Sequence, residues 1–348
     1  MDNIKRIYPD FYKNFKCLAG ACPDTCCRDW DVVVDDESYE FYSGVEGEFG
    51  ERLRSCMKID SEGDRIFIFE NNFCPFLSRN WLCEIQMRFG EEHVCDTCRE
   101  FPRISQDYTE FIEYMLSIAC PEACRLVLSK TNDFKCIGDF KVKNFDNGYS
   151  VDFMNFLLKA RALTADIFRT DKVKFSEQLG ECIAFTEYVQ ELIDDEIFDI
   201  NKLYCFKYTA CGSEKKSRKF VFAMQKNLEV MDNNWHDFVQ DSSGCVLSEN
   251  EDTDEEYRRL ALYYIYRYYL NAIASYDIIT TVKMIYCAYA VCSAVMAKNG
   301  AENSFERRVM VIHKYSKEVE HSLENIEYMT DEFLMNPDFS SENILKTL

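Results

Sequence analysis

Histidine is scarce in this chain of 348 residues: only His93, His236, His313 and His321 occur. That scarcity weighs against mixed cysteine–histidine zinc fingers, although His93 stands close enough to Cys95 to remain an alternative ligand. Positive charge is also short. With 40 Lys plus Arg against 61 Asp plus Glu, the formal net charge of -21 repels nucleic acid phosphates. The one dense basic run, Lys215, Lys216, Arg218 and Lys219, reads as a solvated face. No nucleic acid partner is expected; a basic protein segment, or a lysine presented by another protein, suits the field better. Residues 1–30 carry Asp2, Lys5, Arg6, Asp10, Lys13 and Lys16 without an apolar core for a signal peptide, and no 18-residue apolar run occurs elsewhere. A cytoplasmic protein without membrane insertion is expected. Internal repeats and low-complexity tracts are missing. So are a glycine-rich strand-to-helix loop and a Cys-x3-Cys-x2-Cys triplet, because Cys22-x3-Cys26 is followed at once by Cys27.

Cysteine, by contrast, is crowded. Twelve of the chain's 18 cysteines lie between Cys17 and Cys136. Disulfide-dense scaffolds are usually short secreted chains, whereas a chain of this length and 47% hydrophobic content can bury its own core. Soft-metal binding is therefore favoured over disulfides and over unliganded thiols. One unit is Cys17-x4-Cys22-x3-Cys26-Cys27; adjacent cysteines point apart in extended chain, so Cys26 and Cys27 need not serve the same centre. The other comprises Cys74-Pro75-Phe76-Leu77, Cys83, and Cys95-x2-Cys98, whose two-residue gap is a common bite for one metal or cluster. These eight thiols permit one four-cysteine cluster with bystanders or two centres. Thiolate number alone does not separate the two metals; iron–sulfur is the expectation, with structural zinc as the alternative.

The pattern predicts a mostly α-helical protein in two parts. Residues 1–136 read as a cysteine-rich metal-binding domain with short strands, and residues 137–348 as a helical domain completing a substrate or cofactor cleft. In the first part, Tyr8 to Phe15 reads as a brief helix or strand, Trp30 to Val34 as a strand ending at an Asp35 helix cap, Ser38 to Cys56 as a helix, and Arg65 to Phe69 as a strand. In the second, helices are predicted over Val151 to Phe168, Phe175 to Ile193, Phe220 to Met231, Glu255 to Ala274, Ile278 to Met296 and Met310 to Met329. The Ile278 to Met296 segment is apolar enough to be buried on most sides, with Lys283 making it a poor membrane span. Glu249 to Glu256 reads as an exposed linker or helix start, and the tail after Pro337 as loosely attached.

Several blocks resemble the flagellin lysine-N-methylase (FliB) family, within a wider cysteine-rich set that chelates zinc or iron. They are Phe15-Lys16-Cys17 through Cys22-Pro23-Asp24-Thr25-Cys26-Cys27-Arg28-Asp29-Trp30, the Cys74-Pro75-Phe76-Leu77 block, Thr97-Cys98-Arg99-Glu100-Phe101-Pro102-Arg103, Ser117-Ile118-Ala119-Cys120-Pro121-Glu122-Ala123, and Tyr315-Ser316-Lys317-Glu318-Val319-Glu320-His321-Ser322. The resemblance implies methyl transfer from S-adenosylmethionine to lysine side chains of flagellin, and an iron–sulfur cluster of the 4Fe-4S kind. A metal-stabilised binding or chaperone module and a redox or metal-handling protein are the alternatives.

Methyl transfer needs a neutral lysine aligned with a sulfonium, among oxygens that tolerate growing positive charge. A helix through Tyr315 to His321 would put Tyr315, Glu318 and His321 on one side, where Glu318 and His321 could deprotonate an ammonium. Asp31 beside Trp30 is a further acidic candidate. Trp30 is a candidate to stack near the cofactor, and Arg99 and Arg103 to grip its carboxylate or a charged cluster. Ordinary packing and salt bridges of the arginines to Glu100 or Glu84 are the competing readings. The tyrosines from Tyr257 to Tyr269 either line a cleft for a cationic group or pack helices together.

Overall fold

The computed structural model describes residues 4–131, 133–135, 141–143, 149–170, 173–209, 216–245, 251–298 and 304–348. Cys136, Lys215 and Glu249 of the expectations above lie outside the described residues. Among the described residues the strands are short: β1 (Lys5–Ile7), β2 (Met57–Ile59), β3 (Arg65–Phe67), β4 (Arg103–Asp107) and β5 (Phe111–Leu116). β5 is the centre of a three-stranded sheet, parallel to β1 and antiparallel to β4, while β2 and β3 form an antiparallel ribbon. Helices dominate. In chain order they are α1 (Asp36–Gly44), α2 (Gly47–Ser55), α3 (Glu84–Phe89), α4 (Asp96–Glu100), α5 (Pro121–Leu128), α6 (Val151–Ile167), α7 (Phe175–Asp194), α8 (Lys219–Gln225), α9 (Trp235–Gln240), α10 (Glu251–Tyr268), α11 (Ala272–Ser275), α12 (Ile279–Lys298), α13 (Phe305–Val319), α14 (Leu323–Met335) and α15 (Ser341–Leu345).

Two apolar cores result. The smaller gathers Val32, Val34, Tyr42, Leu53, Phe67, Phe76, Ile85 and Val94 beneath α1, α2 and α3. The larger joins the sheet and α5 to the C-terminal helices, so Phe11, Phe111 and Met115 share it with Leu157, Ile285 and Tyr315. At its centre α12 packs against α7, α10 and α13. By length and apolarity α12 alone among the described helices would suffice to cross a membrane, yet 89% of its apolar window is covered by the rest of the fold. Its embedded Lys283 donates to the Phe333 carbonyl at 2.7 Å, which satisfies the buried ammonium.

The helix expected over Ser38 to Cys56 is two helices. α2 starts at Gly47, held at φ +78°, and Gly50 comes so near Val45 that a Cβ would stand 1.9 Å from the Val45 carbonyl oxygen. Asp35 does cap α1, accepting from the Ser38 amide at 2.9 Å, but Trp30 to Val34 forms no strand and contributes one bridge, Val33 to Ile66. The segment Met310 to Met329 is likewise broken. Ser322 captures the Asn325 amide at 3.1 Å and starts α14, while Asn325 Nδ2 ties back to the Glu318 and Glu229 carbonyls at 3.0 and 2.8 Å. Two corrections concern exposure. The tail after Pro337 is docked, with Phe339 and Ile344 fully buried and the Tyr286 hydroxyl 2.7 Å from Thr347 Oγ1. From Glu251 on, the acidic stretch is the helix start that was one of its two readings, but it is not all exposed, since Glu256 is buried against Arg308 at 2.5 and 2.6 Å.

Candidate functional site

Trp30 follows directly on the first cysteine unit, and its indole Nε1 donates back to the Cys26 carbonyl at 2.5 Å. Asp29, in the left-handed region at φ 71°, turns the chain so that the ring faces the C-terminal helices. There it meets His321 edge to face, with ring centroids 4.9 Å apart, and Phe101 at 4.7 Å. The break after α13 is what presents His321, whose Nε2 lies 3.5 Å from Ser117 Oγ. Burial, and then the charges of Arg267 and Lys317, push the His321 pKa down to about 4. The imidazole is therefore neutral at physiological pH.

Beside it stands Glu320, which accepts hydrogen bonds from the hydroxyls of Tyr263 and Tyr264 at 3.0 Å each and Tyr268 at 2.7 Å. Burial raises its pKa. Glu320, His321, Arg267 and Tyr268 lie deep in the fold, surrounded by protein, and all keep partial solvent exposure.

A third feature fixes the cysteine unit to α13. Asp24, between Cys22 and Cys26, meets His313 Nε2 at 2.9 Å and Lys317 Nζ at 3.1 Å, and Lys317 also reaches Asp29 at 3.5 Å. Burial pushes the Asp24 carboxyl up, but the His313 hydrogen bond and the Lys317 charge outweigh it and hold its pKa at about 2. A shallow hollow of about 150 Å³ opens beside this clamp, lined by Cys22, Asp24, Thr25, Arg28 and Trp81.

The thiols divide between two neighbourhoods. Cys26 is within electrostatic reach of Cys17 and Cys120, and Cys120 of Cys22 and Cys17. Cys27 is within reach of Cys74, Cys83 and Cys98. Cys95 and Cys98 have their sulfurs 3.4 Å apart. Cys27 joins the two neighbourhoods, since its thiol hydrogen-bonds that of Cys26 and lies within electrostatic reach of Cys22. Burial pushes the Cys74 and Cys120 thiols up to about 12, while the Cys26 hydrogen bond brings Cys27 down to about 7. Among the described residues no three His, Cys, Asp or Glu side chains close tightly enough around one point to hold a single ion.

Of the residues singled out from sequence, the structure brings Trp30 and His321 together. Tyr315 is buried in the larger core, its ring 6.5 Å from Trp235. Glu318 turns the other way and accepts from the Met231 and Asp232 amides at 2.7 and 3.3 Å. Asp31 is exposed. Arg99 pairs with Asp96, Glu84 is taken by Arg52, and Arg103 lies over the Phe15 ring at 5.3 Å. Glu320, Ser117 and the Asp24–His313–Lys317 clamp went unread. The tyrosine stripe was the signal for the first, since three hydroxyls on one helix need a common acceptor.

The family described as FliB lysine N-methylase C-terminal domain matches residues 161–346. The flagellar biosynthetic protein FliU of Salmonella muenchen is 26% identical over 154 residues, covering 40% of this chain and 86% of that protein. The lysine-N-methylases of Salmonella choleraesuis (strain SC-B67) and Salmonella typhimurium (strain LT2) are each 26% identical over 142 residues. Those matches cover 37% of this chain and 34%, about a third, of each relative's length. No solved structure matches the chain.

Proposed function

The chain belongs to the FliB lysine N-methylase family, and on that premise we propose that it transfers methyl groups from S-adenosylmethionine to lysine side chains of a flagellar protein, flagellin. The observation that carries the reading is the meeting of Trp30, Phe101 and His321, with Glu320 preceding His321 in the chain. When bound, S-adenosylmethionine supplies an electrophilic methyl on a sulfonium. The Trp30 and Phe101 rings offer negative π faces to a cationic group, worth about 0.5–2 kcal/mol. A neutral His321 neither repels that cation nor consumes the amine's lone pair, and Ser117 Oγ holds its ring in place.

The same reading gives the thiols an iron–sulfur cluster. Its candidate ligands are Cys17, Cys22, Cys26, Cys27, Cys74, Cys83, Cys95, Cys98 and Cys120, with Cys27 linking the thiols of the first unit to those of the second. Soft thiols without nitrogen or oxygen ligands suit iron–sulfur or zinc. When bound, such a cluster cross-links segments that share little apolar core.

The test is anaerobic purification, then incubation with flagellin from the same cell and methyl-labelled S-adenosylmethionine, with iron, zinc and acid-labile sulfide measured in parallel. Label on flagellin lysines is expected. Folded, metal-replete protein that transfers none would overturn the reading and leave a metal-stabilised binding module.

A further inference from the structure

Glu320 is a carboxylate deep in the fold that accepts from the hydroxyls of Tyr263, Tyr264 and Tyr268, with the Ser316 hydroxyl also favouring its charged form, and all four of these groups are neutral. A desolvated carboxylate is costly unless a cation compensates it. The nearest cation, Arg267, lies over the Tyr268 ring, 5.0 Å from its centroid, rather than against the carboxylate. The cluster is therefore rich in acceptors and short of positive charge. Each phenol that donates to Glu320 also keeps oxygen lone pairs able to accept from an N–H. The rings add π faces: Tyr264 and Tyr268 stack at 5.8 Å, and Tyr263 meets Tyr264 edge-on at 5.4 Å. Such faces tolerate an amine that gains methyl groups and loses N–H donors.

The cluster is also in the right place. Glu320 adjoins His321, and the Ile118 amide, next to Ser117, hydrogen-bonds the Tyr263 hydroxyl. Glu320 and Tyr268 are half-buried rather than fully enclosed.

We infer that Glu320, with the hydroxyls of Tyr263, Tyr264 and Tyr268, forms the subsite for a primary alkylammonium, the acceptor lysine of the proposed methyl transfer. The subsite rests on that reading for its substrate, and on its own geometry for its preference for a cation. In the reaction the ammonium gives one proton to the Glu320 carboxylate. Its freed lone pair forms the N–C bond as the C–S bond of the sulfonium donor breaks, and that bond's electron pair stays on sulfur as a thioether. Burial raises the proton affinity of Glu320, which suits the first step.

The experiment compares the full chain with Glu320→Gln and Tyr268→Phe. For transfer to flagellin, Glu320→Gln is expected to lower kcat/KM about a hundredfold and Tyr268→Phe to raise KM about tenfold, as loss of hydrogen bonds to a charged group would. S-adenosylmethionine affinity, read by equilibrium dialysis, stays at the wild-type value in both. Wild-type kinetics in both variants, or equal loss of donor binding, would overturn the subsite. A second readout is independent of turnover. Butylammonium should raise the Tm of the wild-type chain and not of Glu320→Gln, whereas butanol should do neither. If wild-type protein methylates nothing but responds to butylammonium in this way, the methylase reading falls and the subsite stands; no such response overturns the subsite. Should Glu320→Gln fail to fold, Tyr268→Phe decides by both readouts.

Discussion

Trp30 and His321 meet edge to face, 4.9 Å between ring centroids, although one ends a cysteine motif near the start of the chain and the other follows the break after α13. This contact joins the two blocks that methyl transfer would need together. Replacing Trp30 with Ala removes the ring that touches both His321 and Phe101. S-adenosylmethionine affinity is expected to fall about tenfold, the value of one partly desolvated cation–π contact, with Trp30→Phe losing less. Equal affinity in wild type and Trp30→Ala, measured by equilibrium dialysis, would make the ring a packing element only.

His321 gives stability a pH dependence of definite sign. Its folded pKa of about 4 lies below its ordinary value of 6.5. Between those values the unfolded chain binds more protons, so stability rises with pH across the window and is lost on acidification towards pH 4. After discounting for partial exposure, the loss is about 2 kcal/mol. Urea unfolding at intervals from pH 7 to pH 4 should show this slope, and His321→Gln should flatten it. A slope unchanged by the substitution would assign the acid sensitivity to another group.

The helices were legible because their apolar spacing is strong: α6, α7 and α12 fall within two residues of expectation. Their breaks were not. A Ser322 cap and the Asn325 ties act through hydrogen bonds that apolar periodicity does not register, so Tyr315, Glu318 and His321 seemed to share a face that the chain divides. Trp30 and His321 could each be picked out for chemistry, but their contact depends on tertiary packing. Glu320 was hidden by its neighbours in a motif, since its partners lie on α10, more than fifty positions earlier.

The tail is an instance where charge and composition misled. Phe339 is fully buried against Phe220 and Phe333, with ring centroids at 4.9 and 5.1 Å. Phe339→Ala should therefore cost about 3–5 kcal/mol, as truncation of a buried aromatic does. Chemical denaturation measures it. A cost below about 1 kcal/mol, the range of surface substitutions, would mean that the tail contributes little to the core.

Asp24 tests how the cysteine unit is held. Its carboxylate is the common partner of His313, which is 1% exposed, and of Lys317, whose side chain is 8% exposed. Removing one side of a buried charged cluster strands the other, so Asp24→Ala should destabilise by about 3 kcal/mol. The wild-type contribution is present at every pH above the ordinary carboxylate value and is lost only as pH falls towards 2, because the folded pKa is depressed. The effect should be local as well as global. Asp24 stands between Cys22 and Cys26, so freeing it from α13 lets both thiols swing outward, and their alkylation by iodoacetamide should accelerate well before global unfolding. Asp24→Asn, which keeps a hydrogen-bond acceptor for His313 but not the charge that faces Lys317, should fall between. If alkylation at Cys22 and Cys26 keeps its wild-type rate in Asp24→Ala while stability drops, the clamp stabilises α13 and has no part in placing the thiols.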